Sequence, residues 1–88
     1  MANVQNADGQ LSQIKYSPSS GEFNLEILDF QGPAEVLERL QEMGLHCGSR
    51  VKLVGQAPFG GPLLFRFGTT VIALRQDEAQ CILYKRIS

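Results

Sequence analysis

Alternation is the dominant pattern in this chain. From Glu22 to Phe30, the side chains of Phe23, Leu25 and Ile27 fall on one side and those of Asn24, Glu26 and, less neatly, Leu28 on the other. That two-residue period is the mark of a half-buried strand. It returns after Gly48. Val51 and Leu53 alternate with Lys52 and Val54 in a strand expected over 50–55, and Leu63, Phe65 and Phe67 alternate with Leu64 and Arg66 over 63–67. Residues 70–74 and 80–87 read as two further strands, with Gly68-Thr69 as a hairpin corner and 76–79 leaving room for a single turn.

Between the first strand and the rest the period lengthens. Val36, Leu37, Leu40 and Met43 fall at helical spacing, while Glu35, Glu38, Arg39 and Glu42 take the outer positions. Gly32-Pro33 breaks the strand and opens this helix, with proline expected at the first helical position, where its missing amide costs nothing. Gly44 supplies the left-handed residue that ends the helix, and Leu45 is placed to fold back on the last turn. Upstream, Leu11 and Ile14 predict one short helical turn, the run Ser17-Pro18-Ser19-Ser20-Gly21 predicts a reversal, and residues 1–10 read as a flexible polar leader. Five short strands with one helix inserted after the first describe a mostly β domain over 11–88, a small closed or nearly closed antiparallel barrel.

Composition narrows the class. A chain of 88 residues has room for one small core, and 43% hydrophobic with 19% charged residues is a globular balance that excludes a disordered or fibrous body. No apolar run approaches the ~20 residues of a membrane-spanning helix, and the polar start lacks the basic and apolar segments of a secretory signal, so a cytoplasmic location is expected without direct membrane insertion. Cys47 and Cys81 are then expected as free thiols. Residues 1–44 hold seven acids and two bases, residues 45–88 two acids and six bases, giving about −5 and +4. A bipolar surface of that kind favours oriented docking over bulk attraction to a polyanion.

Taken together and in order, several segments resemble the FeoA family of small ferrous iron transport accessory proteins. They are Leu11-x-x-Ile14, Arg39-Leu40, Met43-Gly44-Leu45, Gly48-x-x-Val51, Ala57-Pro58-Phe59-Gly60-Gly61-Pro62, Gly68, Ile72-Ala73-Leu74-Arg75 and Glu78-Ala79-x-x-Ile82. The resemblance implies an SH3-like barrel. It also implies a partner, the FeoB-like membrane ferrous iron transporter with its GTP-binding domain, which the protein would assemble or regulate by contact without a metal site of its own. His46-Cys47 departs from the family pattern, where many relatives have a proline before the glycine. The alternative is an SH3-like interaction module acting on a metal-dependent repressor or another protein, since a similar barrel ends repressors of that class.

The residues themselves favour binding over chemistry. One histidine without a serine, cysteine or carboxylate beside it in a recognisable motif offers no catalytic constellation, and Gly60-Gly61 lacks the lysine and hydroxyl of a phosphate loop. Met43, His46, Cys47 and Cys81 lack the spaced pairs of a zinc site, so no metal and no cofactor are expected. The bases Arg50, Lys52, Arg66, Arg75, Lys85 and Arg86 carry no recognised nucleic-acid signature, and most aromatic residues fall at inward positions, which disfavours both nucleic acid and a proline-peptide groove. What remains is a docking surface. The expectation is Phe59 as an aromatic anchor on a loop stiffened by two prolines, Leu64 as an exposed apolar neighbour, and the helix face with Glu38, Arg39 and Glu42 as the orienting surface. Edge strands of a small barrel also allow homo-oligomerisation.

Overall fold

The alternating segments become one antiparallel sheet in the computed structural model, which describes residues 7–19 and 21–87. Its elements are β1 (Gly9–Gln10), a 3-10 turn (Leu11–Gln13), β2 (Phe23–Phe30), α1 (Ala34–Glu42), β3 (Arg50–Gln56), β4 (Leu63–Phe67), β5 (Thr70–Leu74), α2 (Gln76–Ala79) and β6 (Ile82–Arg86). The strand order is β1-β6-β2-β3-β4-β5. The inner faces of β2 to β6 supply Leu25, Ile27, Val51, Leu53, Leu63, Phe65, Leu74 and Ile82 to a single buried cluster. Leu11 and Ile14 join it from the N-terminal side, Leu40 and Leu45 from α1 and its exit, and Ala79 and Cys81 from α2 and its exit.

Two irregularities bend the sheet. The register of β2 on β6 skips between Ile27 and Asp29, and that of β3 on β4 skips between Leu53 and Gly55. Leu28 and Val54 are therefore the extra residues of β-bulges, which is why Leu28 fits the alternation poorly. Opposite the first bulge, the loop after α1 is stitched to β2: the Gly48 amide donates to the Ile27 carbonyl (2.7 Å) and the Ile27 amide to the Ser49 carbonyl (2.8 Å). The buried Ser49 hydroxyl accepts from the His46 amide at 3.0 Å, so its burial leaves no unmatched polar atom.

Helix α1 ends as its sequence predicts and begins one residue later. The Leu45 amide donates to Leu40 O (3.2 Å) and the Gly44 amide to Gln41 O (2.9 Å), with Gly44 at φ 93°, which is the paired bonding of a Schellman stop. Pro33, expected as the first helical residue, is instead the N-cap, because its ψ of 139° is extended. Its carbonyl nonetheless accepts from the Val36 and Leu37 amides at 3.0 and 3.1 Å.

A sixth strand lies where the leader was expected. Residues 1–6 fall outside the described residues, but the Asp8 amide donates to Tyr84 O (2.7 Å), Asp8 Oδ2 accepts from the Arg86 amide (2.6 Å), and Gly9 and Gln10 pair with Tyr84 and Leu83. β1 and β5 are thus the two edges of the sheet. The 3-10 turn that continues β1 packs against α2, the segment that continues β5, with Leu11 and Ala79 fully buried. The two ends of the sheet are joined through side-chain packing.

One carboxylate organises that junction. Glu78 is 3% exposed, its Oε1 accepts from the Arg75 amide at the start of α2 (3.0 Å), and its Oε2 faces Arg39 Nη1 of α1 at 3.4 Å. Removing the carboxylate deletes a cap and an interelement ion pair at once. Glu78→Ala should lower unfolding stability by about 1–3 kcal/mol in urea titration. Arg39→Ala should cost less, because the arginine is half exposed and water can replace it.

Candidate docking surface

The loop between β3 and β4 is built by backbone bonds. The Ala57 amide donates to Pro62 O (2.9 Å), and the Gly61 amide is shared between Ala57 O (3.3 Å) and Pro58 O (3.2 Å). Two side-chain amides converge on the Gly61 carbonyl: Gln56 Nε2 at 3.2 Å and Gln76 Nε2, from the first turn of α2, at 3.1 Å. A Cβ at Gly61 would lie 2.9 Å from that of Ala57, so glycine is required there for space. The left-handed conformation falls on Gly60 (φ 68°) and on Phe59 itself (φ 61°), and not on Gly61.

Phe59 is the only non-glycine residue at positive φ among the described residues, and its ring is fully exposed (106%). A left-handed phenylalanine carries roughly 1–2 kcal/mol of backbone strain. Its side chain recovers none of this by burial. The other phenylalanines and both tyrosines are buried or half-buried against the core, with the guanidinium of Arg86 4.1 Å above the Phe23 ring. Beside the loop, Gly60, Gln56, Gln76, Ser12, Ile14, Lys15 and Tyr16 line a shallow hollow of about 410 Å³.

The other expected positions lie on β4 and α1. Leu64 stands on the outer face of β4 just past it, opposite Ala73 of β5 and Gly55 of β3. It is half-buried and not exposed as expected, because it leans over Gly55, where a Cβ would lie 3.4 Å from its Cδ1. Glu35, Glu38, Arg39 and Glu42 are exposed on α1, as the helical period requires. Arg39 is committed to Glu78. A line of contacts runs from α1 through Arg39 and Glu78 to α2, and from Gln76 to the Gly61 carbonyl, so α2 links the helix to the Phe59 loop. Neither glutamine stood out in the sequence, and Glu78 appeared there only as part of the Glu78-Ala79-x-x-Ile82 segment, without a role, since no periodicity marks a residue that serves groups brought close by the fold.

The charge asymmetry between the halves does not become two poles. Glu26 meets Arg50 at 3.6 Å and Glu22 meets Lys52 at 3.4 Å, which interleaves acids of the first half with bases of the second across β2 and β3. Lys52 and Arg66, direct neighbours on β3 and β4, share a hollow of about 240 Å³ with Asn24 and Arg50. His46 and Cys47 are exposed in the loop after α1, the imidazole Nδ1 lying 3.2 Å from the Cys47 carbonyl. Cys81 is buried, its thiol directed at Asp77 O at 3.5 Å. Burial pushes this thiol above its ordinary value, and the carboxylates of Asp77 and Glu78 push it further. Among the described residues, no three His, Cys, Asp or Glu side chains are placed to hold a metal ion, and no helix is long and apolar enough to cross a membrane.

Comparison with known proteins gives one family by its profile and likenesses of fold beyond it. The FeoA domain profile matches residues 22–86. The solution structure of an FeoA-like protein from Clostridium acetobutylicum superposes with a TM-score of 0.78 at 21% identity, covering 93% of this chain and 90% of that one. The iron(II) transport protein A from Clostridium thermocellum gives 0.74 at 27% identity, covering 89% and 45%. The manganese regulator SloR gives 0.77 at 12% identity, this chain covering only 35% of that longer protein. Sequence comparison with curated proteins returns no significant match.

Three outcomes are expected from this geometry. Phe59→Gly removes left-handed strain and no buried area, so stability measured by urea unfolding should rise by up to about 1 kcal/mol; a fall would mean that the ring packs on the body. At pH 8 a thiol reagent should modify Cys47 in the folded protein and reach Cys81 only on unfolding. Below pH 9 the unfolded Cys81 thiol is also protonated and folding loses nothing through it. As the pH rises past the ordinary thiol value of 9.0, the unfolded chain releases a proton that the folded one keeps, and stability should fall.

Proposed function

Because the chain belongs to the FeoA domain family, we propose that it is a cytoplasmic accessory protein of ferrous iron uptake that docks on the FeoB-like membrane transporter bearing a GTP-binding domain. The observation that carries this reading is Phe59, a fully exposed aromatic held in a strained conformation on a loop braced by Gln56 and Gln76. An anchor of this kind gains contact area on binding while losing little conformational entropy, because the loop is already ordered. The half-exposed Leu64 beside the loop extends the apolar contact. The acids Glu38 and Glu42, displayed with Arg39 on α1, would orient the encounter more than tighten it.

Contact, not chemistry, is the mode of action in this reading. The protein would assemble or regulate the transporter as a binding module, leaving nucleotide hydrolysis and ion passage to the transporter. The alternative role, a module acting on a metal-dependent repressor, draws on the likeness to SloR, which at 12% identity is a likeness of fold.

Calorimetry of the protein against the detergent-solubilised transporter of the same organism, with and without a GTP analogue, tests this directly. Saturable binding is expected, weakened at least about tenfold by Phe59→Ala with the fold retained, as for an interface hot spot. Absence of binding by the wild type in either nucleotide state would remove the transporter from the scheme. Equal binding by Phe59→Ala would remove only the anchor.

A further inference from the structure

The two edges of the sheet are built differently. β1 is two residues long and is flanked by Asp8, whose carboxylate is occupied by the Arg86 amide. β5 presents five residues, Thr70-Val71-Ile72-Ala73-Leu74, without a charge, a proline or a bulge, and pairs on one side only, with β4. Natural edges are ordinarily blunted by the devices this strand lacks. Beyond the exposed hydroxyl of Thr70 at its start, two exposed apolar side chains share the outer face: Val71, 53% exposed, and Ala73.

The hairpin determines which backbone groups the edge offers. Gly68 has φ 64° while Thr69 is not left-handed, the pattern of a two-residue type II′ turn. In such a hairpin the flanking pair, Phe67 and Thr70, exchanges hydrogen bonds, and strict alternation then makes Phe65–Ile72 and Leu63–Leu74 the bonded pairs. The N–H and C=O groups of Val71 and Ala73 accordingly point away from β4, toward the open side.

We propose that β5 pairs antiparallel with β5 of a second copy of this chain, across a two-fold axis at Ile72. In that register Val71 of each copy lies opposite Ala73 of the other, and each such pair exchanges two N–H···O bonds. All four outward backbone groups of each copy are matched. The register is self-complementary in charge, because the five residues carry none and Arg75 falls opposite Thr69 of the second copy. It also continues the outer apolar strip: Leu64 and Ala73 of one copy run into Val71 of the other, with the stem of Arg66 beyond it. On the inner face the half-buried Ile72 meets its own counterpart. A two-fold contact consumes the long edge of both copies and leaves only the two-residue β1 edges, so association stops at the dimer. A single five-residue seam is small beside a standard interface of ~1,600 Å², so the dimer is weak and depends on concentration.

Sedimentation equilibrium between about 10 μM and about 1 mM, the range suited to a contact of this size, provides the test. The mass should rise from monomer toward dimer, and amide exchange at Val71 and Ala73 should slow as concentration increases. Val71→Lys, at an exposed position, should weaken the dimer at least tenfold, with only a slight fall in melting temperature from the like charge of Arg66 opposite it on β4. Ala73→Lys should weaken the dimer likewise. Phe59→Ala, which probes the transporter reading separately, should dimerise as the wild type does. A chain that stays monomeric at the highest concentration overturns the proposal, and so does a dimer that Val71→Lys and Ala73→Lys leave intact, which would place the contact on another surface.

Discussion

A carboxylate at 3% exposure inside a domain of this size is destabilising unless both of its oxygens are matched, and Glu78 is matched from two directions. One oxygen takes the Arg75 amide and so closes the first turn of α2, and the other draws Arg39 of α1 across the end of the barrel. A helix of four residues has no stability of its own. Fixed in this way, α2 can do what the sheet leaves undone, carrying Ala79 against the 3-10 turn where the edges β1 and β5 fail to pair, and aiming Gln76 at the loop that carries Phe59. Burial, capping and loop bracing therefore converge on one side chain.

Strands and helix were legible because each buries one face, and a face leaves a period in the sequence. β4 and β5 run over the same residues in the sequence reading and in the structure, and the Schellman stop at Gly44 and Leu45 has the geometry its residues imply. Other features lacked that kind of signal. β1 is two residues long, too short to show alternation, and the bulge at Val54 sits among apolar neighbours that hide the skipped register. Glu78 and Gln76 act on backbone groups and a guanidinium brought close only by the fold. The rigid neighbours of Phe59 drew notice to it in the sequence, but its left-handed backbone was not legible, because the adjacent glycines are the usual occupants of such a position.

The site that results is mechanically simple. The chain spends backbone strain on presenting an aromatic ring to solvent, and it braces the presenting loop with two amide side chains. Across β2 and β3, bases are answered by acids, Arg50 by Glu26 and Lys52 by Glu22. The acids of α1 remain as the displayed charge on the helical side.

The order of the strands has a consequence for how the domain comes into being. β6, the last strand of the domain along the chain, does not take an edge of the sheet but lies between β1 and β2. β2 to β5 can form successive hairpins and near neighbours as they emerge from the ribosome, yet the central gap stays open until residues 82–86 have cleared the exit tunnel. The N-terminal strand has nothing to bind before that moment, since its only pairing is with β6. Maturation thus waits for β6, and until it arrives the edge of β2 that β6 will cover stays unpaired and open to chaperones and proteases.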